Sequence, residues 1–408
     1  MNIIDGGVTA PKGFLAAGVR AGIKPSATKK DMAMIASTVP CSVAGTFTTN
    51  VVKAAPVKWD SMVVHSSGSA SAVVVNSGIA NACTGEEGYN WCAQTAAKAA
   101  DLIGVRAENV LVASTGVIGA KMPMDVICEG IEKLVPILSE SREAAHSAAE
   151  AILTTDTKTK EIAVQTEIGG TTVTVAGMCK GSGMICPNMA TMLCFVTTDA
   201  AISGQMLQAA LSENVQDTFN MISVDGDTST NDSVLLLANG LAQNDPITAP
   251  GPGLDAFKEA LNEVMVFLCK KIAGDGEGCT CLFEVKVTGA ASKADAKTLA
   301  KSVVKSSLTK AAIYGHDANW GRILCAVGYA EAEFDIDRVS VTLASGKGEI
   351  AVCENGSGIE FSEEEAKQIL GEDEILILID LHQGEASAKA WGCDLTYDYV
   401  RINGDYRS

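Results

Sequence analysis

Strand-like and helix-like stretches are interspersed along this 408-residue chain without the strict alternation a doubly wound parallel sheet requires. Helical periodicity marks 141–153, 204–213 and 254–272. Apolar or alternating strand patterns mark 72–76, 161–168, 171–176, 282–288, 338–343, 349–352 and 375–380. Gly169-Gly170 separates two of them and predicts a tight hairpin turn. The pattern predicts an α+β or layered-sandwich fold. The strand-rich stretch 282–393 is expected to form a smaller C-terminal α/β lobe beside a main domain of 1–281. The apolar and aromatic tail 394–408 is expected to dock back onto that main domain. No internal repeat or low-complexity linker divides the chain.

The formal charge is −18, from 31 basic and 49 acidic residues. Such a chain is a poor partner for a nucleic-acid backbone and suits small-molecule substrates. Its apolar runs, such as 264–269, are far shorter than the roughly 18 residues that span a bilayer. The start, Met-Asn-Ile-Ile-Asp-Gly-Gly, has no basic flank or apolar signal core, so a cytoplasmic location is expected. The 13 cysteines include one close pair, Cys279 and Cys281, and no CxxC. His65, His146, His316 and His382 are isolated from one another. Buried, reduced thiols are therefore expected rather than zinc ligands or a disulfide framework.

The densest unusual segment is Lys180-Gly-Ser-Gly-Met-Ile-Cys-Pro-Asn-Met-Ala-Thr191. A glycine-rich loop passes through the turn signal Pro187-Asn188 and ends at Ala190, before Thr191 and the apolar run 192–196. A threonine in that setting can act as an N-terminal nucleophile. Its hydroxyl attacks the Ala190 carbonyl in an N→O acyl shift, and water hydrolyses the ester. The new α-amine, with a pKa of about 7.7–8.0, is then a base on the same residue as the hydroxyl it activates. On the residues alone, Thr191 also reads as an ordinary strand threonine. Gly181-Ser-Gly183 likewise reads as a phosphate loop lacking the full GxxxxGK[ST] pattern.

The segment resembles the self-cleavage region of the ornithine acetyltransferase (glutamate N-acetyltransferase) family of arginine biosynthesis. Further stretches match in order: Phe47-Thr-Thr-Asn50, Asn76-Ser-Gly, Ala80-Asn-Ala-Cys-Thr-Gly85, Ser114-Thr-Gly-Val-Ile-Gly119 and Thr154-Thr-Asp-Thr157. They continue through Asp225-Gly-Asp-Thr-Ser-Thr-Asn231, Gly274-Asp-Gly-Glu-Gly278, Gly315-His-Asp-Ala-Asn-Trp-Gly-Arg322 and Ile402-Asn-Gly-Asp-Tyr406. The resemblance covers essentially the whole chain.

It implies an αββα layered sandwich, cut between Ala190 and Thr191 into chains 1–190 and 191–408 that assemble as an α2β2 heterotetramer. Thr191 would carry acetyl from N-acetylornithine to glutamate through an acetyl-enzyme. Thr115 and Gly116 would form the oxyanion hole. Thr154, Lys180, Thr191, Glu277, Asn403 and Ser408 would bind substrate, Lys180 suiting the shared α-carboxylate and Glu277 the ornithine ammonium. Asp156 and Thr157 could serve in place of Thr154. No metal or organic cofactor is implied. The mechanism already has its base, so His316 is expected to be a structural, hydrogen-bonded residue.

The chain departs from the family pattern at Cys186, where alanine is common. It departs again at Cys279-Thr280-Cys281, where a small residue and then Thr-Lys are usual, so this chain lacks the charge of that lysine. The Gly-Asp-Tyr-Arg-Ser ending also varies on the family tail. The rival enzyme class is a self-processed aminopeptidase, with water replacing glutamate as acceptor. A non-enzymatic rival is a nucleotide-binding or thiol-sensing module. The residues carry no marker for acetyl-CoA as an additional donor, and recycling of acetyl groups alone is the expectation.

Overall fold

The computed structural model describes residues 1–186 and 192–405. It divides into two compact units. The first comprises 1–181, 188–219 and 228–268, and the second 182–187, 220–227 and 269–408.

The first unit holds the strands β1 (Asn2–Ile4), β2 (Phe14–Val19), β3 (Met32–Phe47), β4 (Ser69–Ile79), β5 (Val110–Val117), β6 (Lys160–Ile168), β7 (Thr171–Lys180) and β8 (Leu193–Thr198). β9 (Ile222–Ser223) belongs to the second unit, and β10 (Ser233–Ala238) to the first. The strand order of the first sheet is β1-β6-β7-β8-β10-β3-β4-β5, with β2 also on β3. β8 runs parallel to β10 and β4 parallel to β5. The pairing of β3 with β4 shifts register between Ala36 and Cys41. Pro40 lies in that gap, where its missing N–H costs no ladder bond. β6 and β7 form the expected hairpin, with Ile168 opposite Thr171 and both Gly169 and Gly170 at positive φ.

Helices α1 (Ala55–Met62), α2 (Gly85–Ile103), α3 (Met124–Leu134), α4 (Arg142–Ala151) and α5 (Gly204–Asp217) pack on this sheet. The α4 N-terminus is capped by Ser141, whose hydroxyl accepts from the Ala144 N–H, a contribution of about 1 kcal/mol. Phe14, Ile35, Leu111, Ile127, Ile131 and Phe195 are among the fully buried side chains. Helix α6 (Pro252–Ala273) follows β10, and most of it belongs to this unit.

The second sheet has the order β14-β13-β12-β15-β11-β16-β9. Its strands are β11 (Leu282–Ala290), β12 (Ser340–Ser345), β13 (Gly348–Glu354), β14 (Ser357–Gly358), β15 (Glu374–Asp380) and β16 (Ala386–Cys393). Helix α7 (Lys293–Lys305) packs on β11 and β16. Helices α8 (Ser307–Tyr314), α9 (Trp320–Gly328), α10 (Glu363–Leu370) and α11 (Tyr397–Gly404) complete the unit. The alternation of β15 is legible in its burial, with Ile375, Ile377 and Ile379 inward.

The α+β class expected from the interspersed patterns is what the structure has. The stretch 282–393 lies wholly in the second unit, which also takes in 269–281, the described tail and two short segments, 182–187 and 220–227. The tail joins this unit because Asp394 accepts from the Thr280 N–H at 2.8 Å and its hydroxyl at 2.6 Å, while the Thr396 hydroxyl donates to the Gly278 carbonyl. His316 departs from its expected hydrogen-bonded role. It is exposed at φ 51° after α8, and its ring makes no hydrogen bond among the described residues. Among those residues no helix is long and apolar enough to cross a membrane, and no cluster of His, Cys, Asp and Glu could hold a metal ion.

Candidate active site

In the first unit the site grows from the ends of β4 and β5. Their parallel register puts Asn76 beside Ser114, Ser77 beside Thr115 and Gly78 beside Gly116. The Ser114 hydroxyl donates to Asn76 Oδ1 at 2.6 Å, and Asn76 Nδ2 donates to the Ile79 carbonyl. Asn231 Nδ2 donates to the carbonyls of Ala80 and Ser114, tying the two strand ends together. Gly116 has φ 128°, and a Cβ there would stand 2.3 Å from the Gly78 carbonyl carbon. Only glycine fits both that conformation and that approach.

Lys180, the last residue of β7, is 8% exposed, and its Nζ donates to Thr115 Oγ1 at 3.4 Å. Behind it lies Asp156, on the loop that follows α4. Its side chain is wholly shielded and pairs with Lys160 at 2.7 Å. It also accepts from the Gly181 N–H at 2.7 Å and the Thr154 N–H at 3.1 Å. Burial pushes the Asp156 carboxyl up, but Lys180, Lys160 and the Gly181 N–H outweigh it and hold the group well below the usual carboxylate range.

Lys24 steadies the same loop from the other side. Its Nζ donates to the Leu153 carbonyl at 2.6 Å and the Lys30 carbonyl at 3.0 Å. Burial lowers it to about 8, against the opposing pull of Asp31 and Asp156. Asp31 sets the backbone of that segment, accepting from the N–H groups of Ala21, Gly22, Ile23 and Lys24. Neither Lys24 nor Asp31 is visible to motif reading. Their partners are backbone carbonyls and N–H groups, which carry no residue identity.

In the second unit the loop before β11 and the tail helix form another cluster. Glu277 is 8% exposed, and its Oε2 accepts from Asn403 Nδ2 at 2.7 Å. The Glu277 N–H donates to the Ser182 carbonyl, and the Ser182 hydroxyl donates to the Asp275 carbonyl. Asp225 accepts from the N–H groups of Met184 and Ile185 and from the Tyr399 hydroxyl. Burial raises the Asp225 carboxyl, countered in part by those N–H groups. Burial and Asp225 push the Tyr399 hydroxyl up.

The structure therefore brings Lys180 to Thr115, with Gly116 beside them, while Asp156 accepts from the N–H groups of both Thr154 and Gly181, the residue after Lys180. It separately brings Glu277 to Asn403. Ala190, Thr191 and Ser408 lie outside the described residues. Cys279 is half-buried and Cys281 buried, both as free thiols. Burial raises the Cys281 thiol to about 12.

Together these features define an α+β protein with a threonine–lysine pair in one unit and a carboxylate–amide pair in the other. Comparison with known proteins gives the particular family. The ArgJ family model matches residues 15–408. The arginine biosynthesis bifunctional protein ArgJ of Symbiobacterium thermophilum is 53% identical over 409 residues, covering the whole of both chains. Its counterpart from Caldanaerobacter subterraneus is 51% identical over 408 residues, again covering both chains. A crystal structure of the Bacillus halodurans ArgJ protein, 50% identical with a TM-score of 0.50, covers 52% of this chain and 98% of its own. The chain belongs to the ArgJ family.

Proposed function

We propose that this chain is the acetyltransferase of arginine biosynthesis that moves acetyl from N2-acetyl-L-ornithine to L-glutamate. The observation that carries the reading is identity of about half the residues over full length to relatives named for arginine biosynthesis. That breadth favours a transferase over an aminopeptidase. The relatives' name includes the word bifunctional, which supports a second reaction with acetyl-CoA as donor beside the recycling expected from sequence.

The proposed chemistry begins with self-cleavage. Thr191 Oγ attacks the Ala190 carbonyl carbon, the Ala190–Thr191 amide bond breaks, and the amine takes the proton. Water then hydrolyses the ester, leaving an Ala190 carboxylate and a free Thr191. The solved Bacillus halodurans chain supports such a cut, because nearly all of it spans only 52% of this one. The 218 residues from 191 onward make up about 53% of the 408.

In the transfer cycle, the Thr191 amine takes the hydroxyl proton as Oγ attacks the acetyl carbonyl. The oxyanion develops against the Thr115 hydroxyl and the Gly116 N–H. Lys180 already donates to Thr115 Oγ1, so that hydroxyl is free to turn its own proton to the oxyanion. Collapse breaks the C–N bond, ornithine leaves with the proton, and acetyl remains as an ester on Thr191. The glutamate amine attacks that ester and regenerates the hydroxyl. Lys180, Thr154, Glu277, Asn403 and Ser408 are the proposed substrate contacts. We further assign the processed chains to an α2β2 assembly in the cytoplasm, with no nucleic-acid or membrane partner.

Intact-mass measurement under denaturing conditions, followed by an acetyl-transfer assay, tests the reading. Two fragments, the larger beginning Thr191-Met-Leu-Cys, and glutamate-dependent release of ornithine are expected. Thr191→Ala should abolish both. Release of acetate without N-acetylglutamate would mean a hydrolase. A stable single chain of 42.2 kDa would end the nucleophile assignment.

A further inference from the structure

We propose that Asp225 is a positioning residue for self-cleavage: its carboxylate fixes the backbone of Met184 and Ile185 upstream of the Ala190–Thr191 bond, so that cutting waits on the folding of the second unit. The inference rests on the self-processing reading and adds to it a residue that the reading does not use.

The chain leaves the first sheet at Lys180, the end of β7, and re-enters it at Leu193, the start of β8. Between them, residues 182–187 group with the second unit. Hydrogen bonds to that unit account for this. The Ser182 hydroxyl donates to the Asp275 carbonyl at 2.7 Å, and the Ser182 carbonyl accepts from the Glu277 N–H at 3.0 Å. The Met184 N–H donates to Asp225 Oδ2 at 2.6 Å and the Ile185 N–H to Asp225 Oδ1 at 2.8 Å. The Val224 N–H donates to the Ile185 carbonyl at 2.6 Å. The partners come from residues 224–225 and 275–277, which lie far along the chain.

Asp225 is the centre of this clamp. Both of its oxygens are engaged, and bonds from N–H to an ionised carboxylate are about twice as strong as neutral ones. Met184 has φ 57°, a conformation that non-glycine residues rarely adopt, and its side chain is 50% exposed. Its side chain therefore gains little from packing, and its N–H bond to Asp225 is what holds the left-handed turn. The N→O shift needs the hydroxyl oxygen held about 3–3.5 Å from the carbonyl carbon. Ile185 precedes Ala190 by five residues. Anchoring the loop there narrows the conformations from which the attack must be found. The anchor exists only once 220–227 and 275–277 have folded, so an incomplete chain keeps its peptide bond.

The test follows processing of the full-length protein in a cell-free pulse–chase, resolved on denaturing gels. Wild type, Asp225→Asn, Asp225→Ala and Met184→Pro are compared. Thermal melts of each clamp variant in a Thr191→Ala background report folding without cleavage. At matched melting temperature, Asp225→Ala and Met184→Pro are expected to slow cutting at least fivefold. Asp225→Asn keeps one acceptor and should fall between Asp225→Ala and wild type. If Asp225→Ala does not fold, Met184→Pro decides, because at this exposed position proline removes the donor and, with φ fixed at about −65°, the left-handed turn that the clamp holds. Cutting by the folded variants within fivefold of wild type overturns the clamp. An uncut wild-type chain instead overturns the self-processing reading beneath it.

Discussion

Lys180 Nζ lies 3.4 Å from Thr115 Oγ1, joining the end of β7 to the C-terminal half of β5. A lysine ammonium can only donate, so the threonine oxygen accepts and its own proton must point elsewhere. Thr115→Val removes that proton and should lower kcat by about 10²–10³, the usual loss for one oxyanion donor. Thr115→Ser keeps it and should stay within about tenfold of wild type. Steady-state ornithine release on fully processed enzyme separates the two variants. Equal losses would remove the hydroxyl from the oxyanion hole.

Asp156 should matter for stability before it matters for rate. Asp156→Asn removes one member of the buried Asp156–Lys160 ion pair, which costs about 3–5 kcal/mol. The folded carboxyl titrates below its unfolded value of about 3.9. Its stabilisation is therefore full above that value and drains away as pH falls through the folded one. Urea unfolding of wild type and variant at pH 7 and near pH 3 should show the deficit shrinking in acid. A deficit that is constant with pH would place the cost in packing rather than in charge.

Asn403 holds the Glu277 carboxylate from the tail helix at 2.7 Å. A hydrogen bond to a charged group contributes about 1.5–3 kcal/mol. Asn403→Ala should therefore raise KM for N-acetylornithine by about tenfold or more and change kcat less. An unchanged KM would mean that Glu277 needs no help from the tail.

Much of the local architecture was legible from periodicity. The Gly169-Gly170 hairpin, the helices near 141–153 and 254–272, and the strand at 375–380 all appear where the patterns put them. The pairing of Lys180 with Thr115, and of Glu277 with Asn403, brings together residues that motif matching chose separately. Asp225 was read only as part of a motif, and Lys24 and Asp31 not at all. Their work is done through backbone N–H and C=O groups, which carry no residue identity. The boundary expected at 281 differs from the second unit's start at 269 for a similar reason. Three separate stretches of chain complete the second unit, and no composition change marks where 182–187 or 220–227 joins it.

Asp60 offers a test of opposite sign to Asp156. It is wholly buried in α1, accepts one bond from the Val112 N–H at 2.8 Å, and its Oδ2 has no hydrogen-bond partner among the described residues. Burial raises its carboxyl well above the usual range. The folded state thus holds a proton that the unfolded state releases above about pH 4, and this contribution weakens as pH rises. Asp60→Asn keeps the acceptor without the charge and should flatten that decline. Thermal melts between about pH 5 and pH 9 should show the variant gaining on wild type as pH rises. Parallel curves would mean that Asp60 titrates alike in both states.

The same helix has a further consequence. β5 ends the strand order of the first sheet, yet Trp59 Nε1 donates to the Val110 carbonyl and Asp60 takes the Val112 N–H. Two of the polar groups an outermost strand would offer to a passing chain are thus claimed by side chains of α1. The opposite end of the order is β1, three residues long. A strand that short is a poor template for addition of foreign chain. Both ends of this strand order thus offer less to strand addition, although the sheet is not closed on itself.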